Sequence, residues 1–190
     1  MIICGLDEAG RGPLAGPIVG AAVVLNSQFS INQLEDSKKI NSKQREKLYR
    51  LILESGAIVE TEIITARQIN NRGIGWANKE IFKRLIKRIE ADKYIIDGVL
   101  KIKINNKNIK SVIKADATRK CVMAASIVAK VTRDQLMKHL HEEHPQYGWI
   151  SNMGYGTRYH VSAIAEFGTV KYHRSVFVQT ALRSERAKVS

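Results

Sequence analysis

Three short apolar runs in this chain each hand over to an acid. Met1–Leu6 leads into Asp7 and Glu8, Tyr94–Ile96 into Asp97, and the β-prone stretch Ser111–Ala115 into Asp116. Runs of this length and composition read as strands, so carboxylates are delivered at or just beyond the C-terminal ends of three strands. In open sheets that edge is where ligand sites form. The first pair constrains the chain further. Successive strand side chains point to opposite faces, so Asp7 and Glu8 must sit where the strand ends or bends. The turn Gly10, Arg11, Gly12 that follows permits such a bend.

Periodicity supplies the surrounding elements. Pro17–Leu25 is a second apolar run, and Ala57–Ile64 alternates as a third strand. Asn41 or Ser42 caps a helix through Glu54, with Leu48, Leu51 and Ile52 on one face and Gly56 as its stop. The segment Trp76–Ile89 sets Trp76, Ile81, Leu85, Ile86 and Ile89 at helical spacing, opposite Lys83, Arg84, Lys87 and Arg88. Ile109–Ile113 is another short strand, reached from Tyr94–Asp97 through the polar stretch Lys101–Lys107. A long helix from about Thr118 to His141 follows, and Tyr159–Phe167 forms a shorter one ending at Gly168. The predicted class is α/β, a mixed β-sheet flanked by helices with a helical C-terminal part. One domain over residues 1–178 is expected, and the polar residues 179–190 are expected to fray.

Composition narrows the partners. Lys and Arg total 31 against 18 Asp and Glu, a net charge of +13 with His neutral. Such a surplus favours a polyanion, because Lys and Arg neutralise phosphates and release counterions; membrane surfaces attract cations too. The longest apolar stretches, Ile18–Leu25 and Cys121–Val131, fall short of the roughly 20 residues that span a bilayer. Acids at positions 7 and 8 stand where a signal peptide would be apolar. Cys4 and Cys121 lie in apolar runs and read as packed thiols in a reducing compartment. A cytoplasmic protein without a membrane partner is the expectation.

Taken singly, each acid has an ordinary explanation: Asp7 as a turn cap, Glu8 as a solvated charge, Asp97 as a turn residue and Asp116 as a helix N-cap. Taken together, four carboxylates converging on one edge would repel one another unless they bound divalent cations. Mg²⁺ and Mn²⁺ prefer such oxygen ligands, and a two-metal carboxylate site is standard machinery for phosphodiester hydrolysis.

The string GLDEAGRGPLAGPIVGAAVVL (Gly5–Leu25) closely resembles the signature opening of the type 2 ribonuclease H family, RNase HII. The resemblance continues in order through DSKK (Asp36–Lys39), IDG (Ile96–Gly98), KADAT (Lys114–Thr118), AASIVAKVTRD (Ala124–Asp134) and GYGT (Gly154–Thr157). It implies an RNase H-like fold with Asp7, Glu8, Asp97 and Asp116 as catalytic, metal-binding carboxylates for two Mg²⁺ or Mn²⁺ ions. The implied activity is an endoribonuclease acting on the RNA strand of RNA–DNA hybrids and cutting 5′ of single ribonucleotides in duplex DNA. Its products carry a 3′-hydroxyl and a 5′-phosphate, its role is ribonucleotide removal from DNA, and its partner is the hybrid or ribonucleotide-containing duplex, bound by a monomer.

The resemblance also assigns substrate contacts. Gly10, Arg11 and Gly12 match the family's ribonucleotide sensor, and glycines let a backbone approach the 2′-hydroxyl that distinguishes RNA from DNA. Tyr155 matches the tyrosine that stacks on the adjacent sugar. Lys38, Lys39, Lys130 and Arg133 match basic positions near the duplex backbone, although a solvated surface charge explains any one of them equally well. Three departures stand out. Ala115 replaces a usual Gly, His173–Phe177 reads HRSVF where relatives carry a second Arg, and Asn71–Asn78 is unusually rich in glycine.

Other patterns carry less. His139, His141 and His144 invite a zinc site, but His141 and His144 are three apart, one short of the His-Glu-x-x-His spacing. Two alternatives stay open: a non-catalytic basic protein that binds nucleic acid, and a nuclease of the same fold acting on another substrate such as a DNA junction.

Overall fold

The computed structural model describes residues 1–26 and 41–189, so Lys38, Lys39 and the DSKK motif lie outside the described residues. Strands β1 (Ile3–Ala9), β2 (Ile18–Val24), β3 (Ile58–Ile64), β4 (Lys93–Asp97) and β5 (Ile109–Val112) form one sheet in the order β3-β2-β1-β4-β5. β1 runs antiparallel to β2 and parallel to β4, and β4 runs parallel to β5. This is the mixed sheet that the strand pattern predicts. β1 lies at its centre, which explains why Cys4 and Leu6 are fully buried.

One correction concerns the acids. β1 does not end before Asp7. Its pairing continues as Asp7 with Ala21, Glu8 with Gly20 and Ala9 with Val19. The small partners on β2 leave room beside the acids, so the strand runs on and alternation, not a bend, splits the pair between two faces.

The chain divides into two compact units. The first holds Met1–Ala9, Val19–Ile63 and Asn78–Thr132. Helix α1 (Ser42–Glu54) opens with a capping box between Asn41 and Gln44 and buries Leu48 and Ile52. Those two residues join Ala21, Val23 and the apolar face of a long helix, including Ala124, Ala125 and Val128, in one core. Glycine is required on β1, because a Cβ at Gly5 would lie 2.2 Å from the carbonyl carbon of Cys121. Backbone against backbone admits no side chain there.

The second unit holds Gly10–Ile18, Ile64–Ala77 and Arg133–Ser190. Its core combines Leu14, Ala15, Met137, Tyr147, Trp149, Ile164 and Val178. Four features here and nearby differ from expectation. Helix α2 (Ala66–Arg72), with a capping box from Thr65 to Gln68, was not visible as a periodic run because it is only seven residues long. Gly73, at φ 80°, separates it from α3 (Ile74–Arg88), which starts before Trp76. The long helix begins as a separate turn, α4 (Ala115–Thr118), before α5 (Lys120–Glu143). Beyond α6 (Trp149–Asn152) and α7 (Arg158–Phe167), α8 (Ser175–Val189) is helical through the tail expected to fray. Val178 is buried, and Ala181 and Leu182 pack on the same core, so the tail has an apolar stripe despite its polar composition. Among the described residues, no helix is long and apolar enough to cross a membrane.

Candidate active site

Asp7 shares a face of β1 with Gly5, over which α5 packs, and Ser126 of α5 hydrogen-bonds its carboxylate. Only 8% of Asp7 is exposed. One carboxylate oxygen accepts the Glu8 N–H at 2.8 Å. Burial raises the Asp7 carboxyl, the two hydrogen bonds oppose it, and the charges of Asp97 and Asp116 add a smaller upward push, leaving it at about 6. Glu8 is half-buried and faces the other side of the sheet. The charges acting on Asp7 are therefore those of Asp97 and Asp116.

Asp97 is the last residue of β4. Its Oδ1 accepts the N–H groups of Ala115 at 2.6 Å and Asp116 at 3.4 Å, the first turn of α4. Asp116 is thus not an N-cap. The cap position is Lys114, at a left-handed φ of 56° and without a side-chain cap, and Asp97 supplies the acceptor across the sheet end. Ala115 is fully buried and helical, so the left-handed conformation falls on Lys114 and the extra methyl group is accommodated.

These acids make a coherent donor set. All are hard carboxylate oxygens, and their mutual repulsion is what a divalent cation would relieve. Among the described residues no group of three or more His, Cys, Asp or Glu is placed so that it could hold a metal ion as it stands. Asp7 accepts from the Glu8 N–H and from Ser126, and Asp97 gives one oxygen to backbone N–H groups; a carboxylate oxygen has more than one lone pair with which to accept.

A different construction surrounds the glycine turn. Gly10 is buried at φ 97°, and a Cβ there would lie 2.1 Å from Arg133 Nε and 2.8 Å from the Pro17 carbonyl oxygen. Arg11 and Gly12 are exposed. A Cβ on Gly12 would come within 3.9 Å of the Tyr155 ring, which is 46% exposed. The Gly154 carbonyl accepts N–H groups from Leu14 at 2.8 Å and Ala15 at 3.2 Å. Two motifs distant in sequence are thereby stitched together, and Gly12 and Tyr155 share one surface.

The Ribonuclease HII family profile matches residues 4–180. A ribonuclease HII from Wolbachia sp. subsp. Brugia malayi (strain TRS) is 41% identical over 189 residues, covering 98% of this chain and 92% of its own length. One from Clostridium perfringens (strain SM101 / Type A) is 40% identical over 185 residues, 95% of this chain and 68% of the relative. The chain belongs to the ribonuclease HII family. It is accordingly an RNase H-type hydrolase. Solved structures agree on the fold. The RNase HII of Archaeoglobus fulgidus, solved in complex with PCNA, matches with a TM-score of 0.81 at 26% identity over 92% of this chain and 94% of that one. The ribonuclease H2 of Pyrococcus horikoshii matches at 0.79, with 24% identity, over 98% and 99%.

Within this RNase HII chain, Arg133 is not the surface cation that its motif suggested. It is 1% exposed, and its guanidinium donates to the carbonyls of Pro17 at 3.0 Å, Met153 at 3.0 Å and Ala15 at 3.2 Å. Buried and turned towards three carbonyls, the guanidinium is not presented to a phosphate in solution. Its guanidinium carbon stands 5.9 Å from the Tyr155 ring centroid. Lys130 is half-buried and engaged in interactions of its own.

Sequence reasoning missed a second buried arginine. Arg174 is fully buried and donates to Gly16 O at 3.0 Å, Arg11 O at 3.0 Å and Gly10 O at 2.7 Å. Burial, and then the Arg133 charge, pull its guanidinium down to about 9. Its signal was the HRSVF string, noticed but without a partner to interpret it.

Tyr155 is held through histidine. His160 Nδ1 donates to the Tyr155 carbonyl at 2.9 Å, and His160 Nε2 accepts from Trp149 Nε1 at 3.0 Å. His173 Nδ1 accepts the Val170 N–H at 3.0 Å, which leaves its Nε2 to donate to His160 Nε2 at 3.2 Å. Both rings are therefore neutral. Burial lowers the pKa of each, to about 4 for His173. Of the suspected zinc histidines, His139 is exposed and pairs with Glu142 and Glu143, while the His144 ring packs against Trp149 and Tyr172.

Proposed function

We propose that this chain cleaves the RNA-containing strand of RNA–DNA hybrids and cuts 5′ of single ribonucleotides in duplex DNA. The observation that carries the chemistry is the gathering of three acids: Asp7 is buried on β1 beside Asp97 and Asp116, and Asp97 holds the turn that bears Asp116. Burial above all, with a smaller push from the two neighbouring acids, raises the Asp7 carboxyl to about 6, and a divalent cation placed among the three would favour their ionised forms. Asp7, Asp97 and Asp116 would hold the cations, with Glu8 reaching from the other face at the strand end. When bound, a pair of Mg²⁺ or Mn²⁺ ions supplies Lewis acidity for the attacking water and the leaving oxygen.

The protein's own residues do the rest. Asp97 fixes the first turn of α4 and with it Asp116. Gly10, Arg11 and Gly12 present backbone to the ribose, and Tyr155 offers a ring face to the neighbouring sugar. Water adds to phosphorus, the bond to O3′ breaks, and the ends are a 3′-hydroxyl and a 5′-phosphate. Among the basic residues, Lys130, together with Lys38 and Lys39 outside the described residues, is proposed to lie along the duplex backbone.

The test is an end-labelled DNA duplex holding one ribonucleotide, incubated with Mg²⁺, with EDTA, and beside an all-DNA control. A single metal-dependent cut immediately 5′ of the ribonucleotide is expected. Degradation of long hybrids with no cut at the single site would remove the single-ribonucleotide role. Silence on both substrates from a folded sample would favour a binding protein.

A further inference from the structure

We propose that Arg174 is a positioning residue for ribonucleotide recognition: it holds the Gly10 and Arg11 carbonyls inward so that the Gly12 N–H faces the 2′-hydroxyl. The inference deepens the reading of Gly10–Gly12 as the ribose sensor and rests on it.

The geometry begins with the peptide plane. In a trans peptide the carbonyl and the following N–H point in opposite directions, and the described chain contains no cis bond. Arg174 Nη1 binds the Arg11 carbonyl from the buried side at 3.0 Å. The N–H of Gly12 must then point away from Arg174, on a residue that is itself exposed and close to the Tyr155 ring. Arg174 Nη2 fixes the preceding plane through Gly10 O at 2.7 Å. Nε anchors the fork to Gly16 O at 3.0 Å, on the far side of the loop.

The choice of residue follows from that task. All three guanidinium nitrogens end on main-chain carbonyls rather than on a carboxylate, an expensive way to bury a cation. A planar fork with donors at fixed angles can hold three carbonyls in one arrangement, whereas a lysine ammonium is a point donor on a flexible stem. The fold does not need the side chain to hold this segment. Arg174 N donates to Leu14 O at 2.7 Å, Gly16 N donates to Tyr172 O at 2.9 Å, and Ala15 bridges His173. Losing the fork would free two peptide planes while leaving the strand-like bridge in place.

The experiment compares wild type with Arg174→Lys and Arg174→Met in EDTA, on two duplexes that differ by one 2′-hydroxyl. Fluorescence anisotropy gives both affinities, and a melting curve gives fold integrity. Wild type is expected to favour the ribonucleotide duplex by about tenfold, as one well-aimed hydrogen bond allows. Both variants should lose that preference to within about twofold while binding all-DNA duplex as wild type does. A preference that survives in Arg174→Lys overturns the proposal. A wild type without any preference would instead remove the sensor reading itself, and it is measured before any variant. Should the variants not fold, wild type still decides the matter by NMR. The Gly12 amide proton must shift more with the ribonucleotide duplex than with all-DNA duplex, and equal shifts overturn the proposal.

Discussion

The acid-bearing strand ends and the glycine turn handle charge in opposite ways. Asp7, Asp97 and Asp116 lie close enough that burial and repulsion raise the Asp7 carboxyl to about 6. Arg133 and Arg174 are two buried cations satisfied by six main-chain carbonyls. The first region concentrates carboxylates, a donor chemistry that suits a divalent cation. The second uses the charge of its buried arginines internally to fix the backbone of an exposed glycine turn, which suits reading a neutral hydroxyl. Clustered carboxylates suit the reaction. Charge that is spent on carbonyls fixes shape.

Substitutions at three residues can break or sharpen that contrast. The largest effect is expected at Asp97, where chemistry and structure can be separated. Asp97→Asn keeps an acceptor for the Ala115 N–H and should melt near the wild-type temperature, yet lose cleavage by roughly 1000-fold, several kcal/mol of transition-state charge stabilisation. Asp97→Ala should lose the same activity and also about 1 kcal/mol of stability, the worth of a cap. Near-normal turnover in Asp97→Asn would leave the strand ends with a structural role alone.

The second test concerns the neutral histidines that hold Tyr155. Burial keeps His173 down at about 4, against an ordinary 6.5. Between those values the unfolded chain takes up a proton that the folded chain refuses. Stability is therefore full above pH 6.5 and lost as pH falls towards 4, by on the order of 3 kcal/mol. His173→Gln should flatten that slope in denaturant titrations at pH 4.5 and 7.5. An unchanged slope would show that this pair does not set acid sensitivity.

The smallest effect is at Tyr155 itself. Tyr155→Ala should lower turnover on a single-ribonucleotide duplex by about tenfold and binding by less, since one stacking contact is worth roughly 1–3 kcal/mol. Equal losses in rate and affinity would make Tyr155 a binding contact only.

Much of this was legible in the sequence, for identifiable reasons. Strand-to-acid transitions are local, so Asp7, Asp97 and Asp116 stood out, and periodicity found α1, α5 and α7. What escaped was long-range. Arg174 meets Gly10 and Arg11 more than 160 residues away in sequence, and no local pattern marks an arginine whose partners are carbonyls. Arg133 was placed on the surface for the same reason. The length of β1 was misjudged because buried acids look like a strand end, when small residues on β2 had made space for them. α8 was missed because its stripe is narrow, resting on Val178, Ala181 and Leu182.

The division of labour is tested most directly in Asp7→Asn, by measuring affinity and cleavage on the same single-ribonucleotide duplex beside its all-DNA counterpart. The expected result is cleavage abolished with the preference for the ribonucleotide duplex intact. Loss of that preference together with cleavage would contradict the separation, and near-full cleavage would contradict the role of the carboxylates.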